Sequence, residues 1–432
     1  MKVKMKTRTY EEVLAAKPYV HQKPVKQWIA LRWLVKWLST VDLLRVGFEV
    51  NKIGMEKLGK DEPCLILMNH SCFSDMEIAG KVFGDRPYAI VCTKDALIGK
   101  SWLMRILGCI STTKYITDMV LVQDMVHVVK KLKSSIIMYP EACYSFDGTG
   151  MILPDSLSKC VKLLKVPVVM IQTHGAFLRN PLYNELQLRK MKVTADVKYV
   201  LSPEDIQKMS AAEIKKVLEE QFTFDSFRWQ QENKIAIKEK FRADGLNRVL
   251  YKCPHCHTEG KMSGKGIHLT CQHCGAQYEL TEYGFLESVN GESKFTHVPD
   301  WFKWQRECVK QEIENGSYKL DVPVDIYMMV NAECVYKVGD GNLKHTEEGF
   351  YLTGCDGKLE YSQKPDATYT INSDFYWYEI GDVICIGDAA RQYYCIPKQE
   401  GDIVAKTKLA AEEMYKLKRA NRKKRVATET TK

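Results

Sequence analysis

No stretch of eighteen or more uncharged apolar residues occurs in this 432-residue chain, so nothing in it has the length and polarity to cross a bilayer as a helix. The N-terminus, Met1-Lys-Val-Lys-Met-Lys6, is basic, but no uninterrupted apolar region follows it, and a secretory leader is not expected. Of fifteen cysteines, eleven are scattered singly through apolar segments, as at Cys64, Cys92, Cys160 and Cys385. That spacing excludes a disulfide framework and points to a reducing cytoplasm. Hydrophobic residues make up 45% of the chain and aromatic residues 10%, enough for packed cores. The length exceeds one ordinary core, so roughly two to four domains are expected.

The most informative segment is Cys64-Leu-Ile-Leu-Met-Asn69-His70-Ser71-Cys72-Phe73-Ser74-Asp75, an apolar run that ends in a histidine with an acid five positions on. A short buried strand delivering a histidine to a loop, followed by a carboxylate at a helix start, can build a general base. The carboxylate holds one ring nitrogen and fixes the tautomer, leaving the other free to take a proton from an alcohol. Taken alone, such a pair is more often structural than catalytic.

Three further segments change that balance. Gly108-Cys-Ile-Ser-Thr-Thr-Lys114, the run Ser135-Ile-Ile-Met-Tyr139 leading into Pro140-Glu141-Ala142-Cys143-Tyr144-Ser145, and Val166-Pro-Val-Val169 follow in order. Together with Asn69-His70-x4-Asp75 they resemble the four blocks of the glycerolipid acyltransferases, the family of the 1-acyl-glycerol-3-phosphate acyltransferases. The resemblance implies His70 as the base and Asp75 as its orienting partner, with Lys114, Glu141, Tyr144 and Ser145 binding substrate. It also implies an acyl thioester donor, either acyl-CoA or acyl carrier protein, and a lysophospholipid acceptor, 1-acyl-glycerol-3-phosphate first among them. Two departures stand out. The family has an arginine where this chain has Lys114 and another where it has Tyr144. A lysine still acts as a point charge on phosphate, whereas tyrosine offers one neutral donor, so the acceptor site should be less anion-selective than in a typical relative.

Short apolar runs alternate with helical stretches between residues 61 and 200: strands at 64–68, 89–92, 136–139 and 168–173, and helices at 75–83, 101–107 and 120–133. The expected fold class is therefore α/β, with a mostly parallel sheet covered by helices and function at the strand ends. Residues 201–250 read as a charged helical connector, with Ser202-Pro203 and Ser210-x-x-Glu213 as helix starts, carrying the chain away from the active site.

Residues 1–60 carry thirteen Lys/Arg against five Asp/Glu, a net of +8. From Val25 to Val46 apolar residues, including Trp28, Trp33 and Trp37, occupy a wide helical arc, with Arg32, Lys36, Ser39 and Thr40 on the remaining side. Two readings fit: an interfacial helix drawn to a surface of anionic lipid, or a core helix packed on the catalytic domain.

Cys253-Pro-His-Cys256 and Cys271-Gln-His-Cys274, fourteen residues apart, are two thiolate pairs on two turns. This is the pattern of a tetrahedral structural zinc, in which Cys253, Cys256, Cys271 and Cys274 fill the shell and His255, His257, His268 and His273 stand by. Residues 251–282 thus read as a zinc ribbon and 283–320 as a linker with a helix. Residues 321–420 hold about seven short β-branched and aromatic segments, then a helix from about 403 to 420. That order is similar to a pleckstrin-homology (PH)-like barrel. Residues 421–432 form a basic tail, which could be a solvated segment or a contact for lipid or nucleic acid.

These observations assemble into a cytoplasmic enzyme peripheral on the inner membrane face, an O-acyltransferase of phospholipid biosynthesis. Two rivals remain: a non-catalytic lipid-binding adaptor, and a zinc-ribbon nucleic-acid binder supported by the net +9 charge. With no aromatic-basic platform around the ribbon, nucleic acid is the weaker partner.

Overall fold

The computed structural model describes residues 3–116, 118–398 and 401–430, with side chains to Arg422. The chain opens with strand β1 (Met5–Thr7) and helix α1 (Tyr10–Leu14), then enters helix α2 (Ile29–Arg45). Strands β2 (Glu49–Ile53) and β3 (Leu65–Met68), helix α3 (Ser74–Phe83), β4 (Tyr88–Thr93), α4 (Ser101–Ile106), β5 (Cys109–Thr112), α5 (Met119–Lys130), β6 (Ser135–Met138), α6 (Ser156–Leu164), β7 (Val168–His174), α7 (Ala176–Arg179) and β8 (Thr194–Leu201) complete the first half. These strands form one seven-stranded sheet in the order β2-β8-β7-β3-β6-β4-β5. All pairs are parallel except β7 with β8.

The central strands are apolar on both sides because helices cover both faces. Leu65 and Leu67 point into one layer with Met125 and Val128 of α5 and Leu157 and Val161 of α6. Ile66 and Met68, one residue out of phase, join Leu43 of α2 and Ile78, Ala79 and Phe83 of α3 on the opposite face. The parallel ladder brings the carboxyl ends of β3, β6, β4 and β5 to one rim.

Helices α8 (Pro203–Lys208), α9 (Ala211–Gln221) and α10 (Ser226–Glu232) follow. Ser202 and Ser210 each close a capping box, with Asp205 and Glu213 respectively. One expectation is corrected here: α8 and α9 do not lead away, because Ile206, Ile214, Leu218 and Phe222 pack into the same layer as α5 and α6. After Glu232 no α-helix forms until residue 298.

A four-stranded antiparallel sheet, β9 (Met262–Lys265), β10 (His268–Cys271), β11 (Gln277–Leu280) and β12 (Leu286–Ser288), precedes α11 (Val298–Glu314). The C-terminal region is β-rich: β13 (Leu320–Met329), β14 (Val335–Thr346), β15 (Gly349–Gly354), β16 (Leu359–Gln363), β17 (Asn372–Trp377), β18 (Gly381–Gly387) and β19 (Gln392–Pro397). They pair in the order β16-β15-β14-β13-β19-β18-β17, and β1 from the N-terminus adds to β14 in parallel, Met5 opposite Val335. Residues 1–60 are therefore not one membrane-facing unit. Helix α12 (Val404–Thr430) runs through the segment expected to be a tail. The side chains of Lys423, Lys424 and Arg425 and residues 431–432 lie outside the described set. One continuous apolar core joins α10, the four-stranded sheet, α11, the C-terminal sheet and α12 through Phe227, Leu269, Trp301, Ile326 and Leu409.

Candidate functional site

Strand β3 ends at Met68 and the next two residues set the site. Asn69 ties the loop to β7: its Oδ1 accepts from Thr173 N at 2.8 Å and its Nδ2 donates to Ser71 Oγ at 3.0 Å. His70 then places Nδ1 3.0 Å from Asp75 Oδ2. The same carboxylate oxygen accepts from Ser71 N at 2.7 Å and Cys72 N at 3.1 Å, and Asp75 is completely buried in the first turn of α3. An oxygen surrounded by backbone donors at a helix N-terminus is held as an acceptor, so the His70 Nδ1–H donates to it and Nε2 carries the free lone pair. The imidazole lies between two tyrosines, with ring centroids 4.4 Å from Tyr139 and 4.4 Å from Tyr144. Its side chain stays 21% exposed, open enough to meet a substrate.

The loop after β6 is clamped to His70 by Glu141. This carboxylate is buried, and each oxygen accepts one backbone amide: Oε2 from His70 N at 2.8 Å and Oε1 from Met151 N at 2.8 Å. Burial pushes its carboxyl up to about 8 against the pull of those two amides. Tyr115 Oη donates to the Glu141 carbonyl at 3.2 Å, and Ser145 N donates to the His70 carbonyl at 3.2 Å. Glu141 thus joins two loops 71 residues apart. Replacing it with glutamine sets an NH2 group against one of the two amide donors. Glu141→Gln is expected to lower stability by about 1–3 kcal/mol in denaturant titration and to reduce turnover.

The remaining candidates divide. Ser145 spends its hydroxyl inside its own turn, donating to the Thr149 carbonyl at 2.7 Å and accepting from Gly148 N at 3.0 Å, and it is fully buried. That use shapes the loop, and with its proton committed and no exposed surface the hydroxyl has no route to substrate. Tyr144 stands against His70, and burial keeps its phenol protonated. Lys114, past the end of β5, donates to Asn372 Oδ1 at 3.3 Å.

Asn372 belongs to the C-terminal sheet, which the sequence reading kept apart from the catalytic half. The structure brings it over the site. Phe375 of β17 stacks on Phe146 at 4.3 Å. Lys408 of α12, buried, donates to Cys143 Sγ at 3.0 Å and stands 4.5 Å from the Phe146 ring centroid. No local pattern marks these residues, because their partners lie more than two hundred positions away.

Helix α2 is oriented against its own pattern. Arg32, at 8% exposure, and Ser39 face the protein, whereas Trp33, Trp37 and Leu44 are 50%, 62% and 71% exposed. Phe73 and Met76, beside His70, and Trp102 on α4 are exposed as well. Among the described residues no helix is long and apolar enough to cross a membrane.

The four cysteines Cys253, Cys256, Cys271 and Cys274 converge, their sulfurs within 4.8 Å of one another and no histidine in the group. The Cys253–Cys274 and Cys256–Cys271 sulfurs are 3.7 and 3.8 Å apart, and all four thiols are free of disulfides. A tetrahedron of thiolates at about 2.3 Å from a zinc ion has edges of about 3.8 Å, so the donor set and spacing fit that metal. Gly275, at φ +74°, makes the left-handed turn that closes the second pair.

Residues 49–172 match the acyltransferase family model. No curated protein matches the chain. Among solved structures, the chain is similar to the 1-acyl-sn-glycerophosphate (LPA) acyltransferase PlsC from Thermotoga maritima, with 17% identity over 47% of this chain and 79% of that one and a TM-score of 0.37.

Proposed function

We propose that this chain, whose residues 49–172 match the acyltransferase family model, transfers a fatty acyl group from an acyl thioester, acyl-CoA or acyl carrier protein, to a hydroxyl of a lysophospholipid in phospholipid biosynthesis. The reference acceptor is 1-acyl-glycerol-3-phosphate. The observation that carries this reading is the His70–Asp75 pair at the carboxyl end of a buried strand, with Nδ1 committed to the carboxylate and Nε2 free.

In this mechanism His70 Nε2 takes the proton of the acceptor hydroxyl as its oxygen attacks the thioester carbonyl. Asp75 balances the imidazolium that forms. When the tetrahedral intermediate collapses, the C–S bond breaks and the proton passes from His70 to the departing thiolate. No residue is acylated: Cys72 and Cys143 are both buried. Glu141 holds the loop that carries Tyr144, and Lys114 supplies the positive charge on the acceptor side. The direct test is thiol release from an acyl thioester with a panel of lyso-lipid acceptors.

The outward apolar face of α2, continued by Phe73, Met76 and Trp102, supports peripheral docking on anionic lipid at the inner membrane face, with His70 close to the acyl chains. Two tryptophan rings each contribute on the order of 1.5 kcal/mol to such docking. Replacing Trp33 and Trp37 together with serine is therefore expected to weaken binding to anionic vesicles by about 100-fold in a sedimentation assay. Unchanged binding would move the docking surface elsewhere.

A structural zinc held by Cys253, Cys256, Cys271 and Cys274 is proposed for the four-stranded unit, making it a zinc ribbon. The strand order of the C-terminal sheet, two meanders joined through β13 and β19 and followed by α12, supports a PH-like reading of that domain.

A further inference from the structure

We propose that Tyr139 and Tyr144 are positioning residues for the base, and that their rings hold the imidazole and stabilise the cation it becomes on taking the acceptor's proton. The inference rests on the acyl-transfer reading above and adds two residues to its machinery.

Strand β6 runs parallel to β3 with Met138 opposite Leu67, so the residue that leaves its end arrives beside the loop carrying His70. That residue is Tyr139. Its ring stacks on the imidazole, with centroids 4.4 Å apart and planes 30° from parallel. Tyr144, five residues on, meets the same imidazole at 4.4 Å and a tilt of 56°. The bond from Ser145 N to the His70 carbonyl, 3.2 Å, and the Glu141 clamp fix the loop that presents it.

The rings, and not the Tyr139 hydroxyl, are what this geometry uses. Tyr139 Oη is buried with no hydrogen-bond partner, so it neither holds His70 nor reaches a substrate. Burial keeps both phenols protonated, and each ring is therefore a neutral π system with a negative face. A cation against such a face is attracted, most strongly where water is excluded. Neutral imidazole gains much less, so the contact favours the state after proton transfer over the state before it. Among the described residues, Asp75 of α3 meets the ring at Nδ1, Glu141 touches only the backbone N–H of residue 70, and Cys72 is kept a neutral thiol by burial. The tyrosines act on the sides of the imidazole that these groups leave.

The test is an NMR titration of His70 in the full-length protein, its signals assigned by their loss in His70→Ala, beside the pH profile of kcat/KM for acyl transfer. Tyr139→Leu keeps apolar bulk and removes the π face. It is expected to move the His70 midpoint, and the acid limb of the profile with it, down by about 0.5–1 pH unit, since only the cation loses a partner. Tyr144→Leu should move both the same way by a smaller step, because its ring is tilted. Tyr139→Phe keeps the face and should titrate as wild type. Midpoints that stay in place in the leucine variants overturn the inference, and so does a shift in Tyr139→Phe as large as that in Tyr139→Leu, which would assign the effect to the hydroxyl. The leucine variants are made separately, so if one fails to fold the other decides. Because the titration needs no substrate, failure of the acyl-transfer reading shows separately, as wild-type protein whose midpoint responds to the variants yet which acylates no lysophospholipid. That result would overturn the role in catalysis as well.

Discussion

Replacing His70 with alanine is expected to reduce acyl transfer by about 10²–10⁴-fold while the fold persists. The His70 Nδ1 is bound to Asp75, but Asp75 keeps two backbone amide donors on the same oxygen when the imidazole is gone. The backbone of residue 70 stays clamped through its N–H to Glu141 and its carbonyl to Ser145 N, neither of which needs the imidazole. The ring itself is partly exposed between Tyr139 and Tyr144, so its loss opens a surface notch and leaves the core closed. His70→Ala should therefore keep its melting temperature within a few degrees and bind vesicles as wild type does. Turnover near the wild-type rate in this variant would remove His70 from the chemistry. A matched Asp75→Asn variant is expected to lose activity too and to be the less stable of the two. It removes the negative charge on which three hydrogen bonds converge and sets an NH2 group where Asp75 Oδ1 is buried without a partner.

The second large effect concerns the metal. The protein should contain about one zinc per chain by elemental analysis, and Cys271→Ser should unfold the ribbon. Cys253 and Cys271 are completely buried in the core that also holds Leu250, Leu269, Tyr278 and Trp301. Zinc bound by isolated finger peptides contributes about 10–16 kcal/mol to their folding, more than this small sheet can supply from its own apolar contacts. Because that core continues into α11 and the C-terminal sheet, loss of the metal should lower the main thermal transition and not only a local one. A chelator-free preparation that contains no metal and melts as a single stable unit would contradict this.

The contact of His70 with Asp75 was legible because its parts are local: a strand, a loop and a helix start within twelve residues. The alternation of apolar strands and helices between residues 61 and 200 placed the sheet for the same reason. Glu141 was legible as a member of a block, but its action was not, since it grips a backbone amide 71 positions away. Strand β8 hid because its outward residues, Asp196 and Lys198, are charged and mask the buried alternation of Ala195 and Val197. Strand β16, at the sheet edge, reads Leu-Glu-Tyr-Ser-Gln and is too polar to stand out. Strand β1 is exposed throughout and exists only because β14 offers it a partner three hundred residues on. In α2 the pattern identified an amphipathic helix but not which side faces the protein. Arg32 and Ser39 turn inward there, against the usual rule for a soluble helix. The roof over the site, with Asn372, Phe375 and Lys408, depends wholly on tertiary packing.

The central claim is that His70 activates a lysophospholipid hydroxyl for direct attack on an acyl thioester. The most direct measurement is thiol release from acyl-CoA and from acyl carrier protein, followed with and without lysophospholipid, alongside detection of the acylated lipid. The account predicts release that depends on the acceptor, matches product one for one, carries no acyl-enzyme burst, and disappears in His70→Ala. Release that proceeds equally without acceptor, or that leaves the acyl group on the protein, would contradict it.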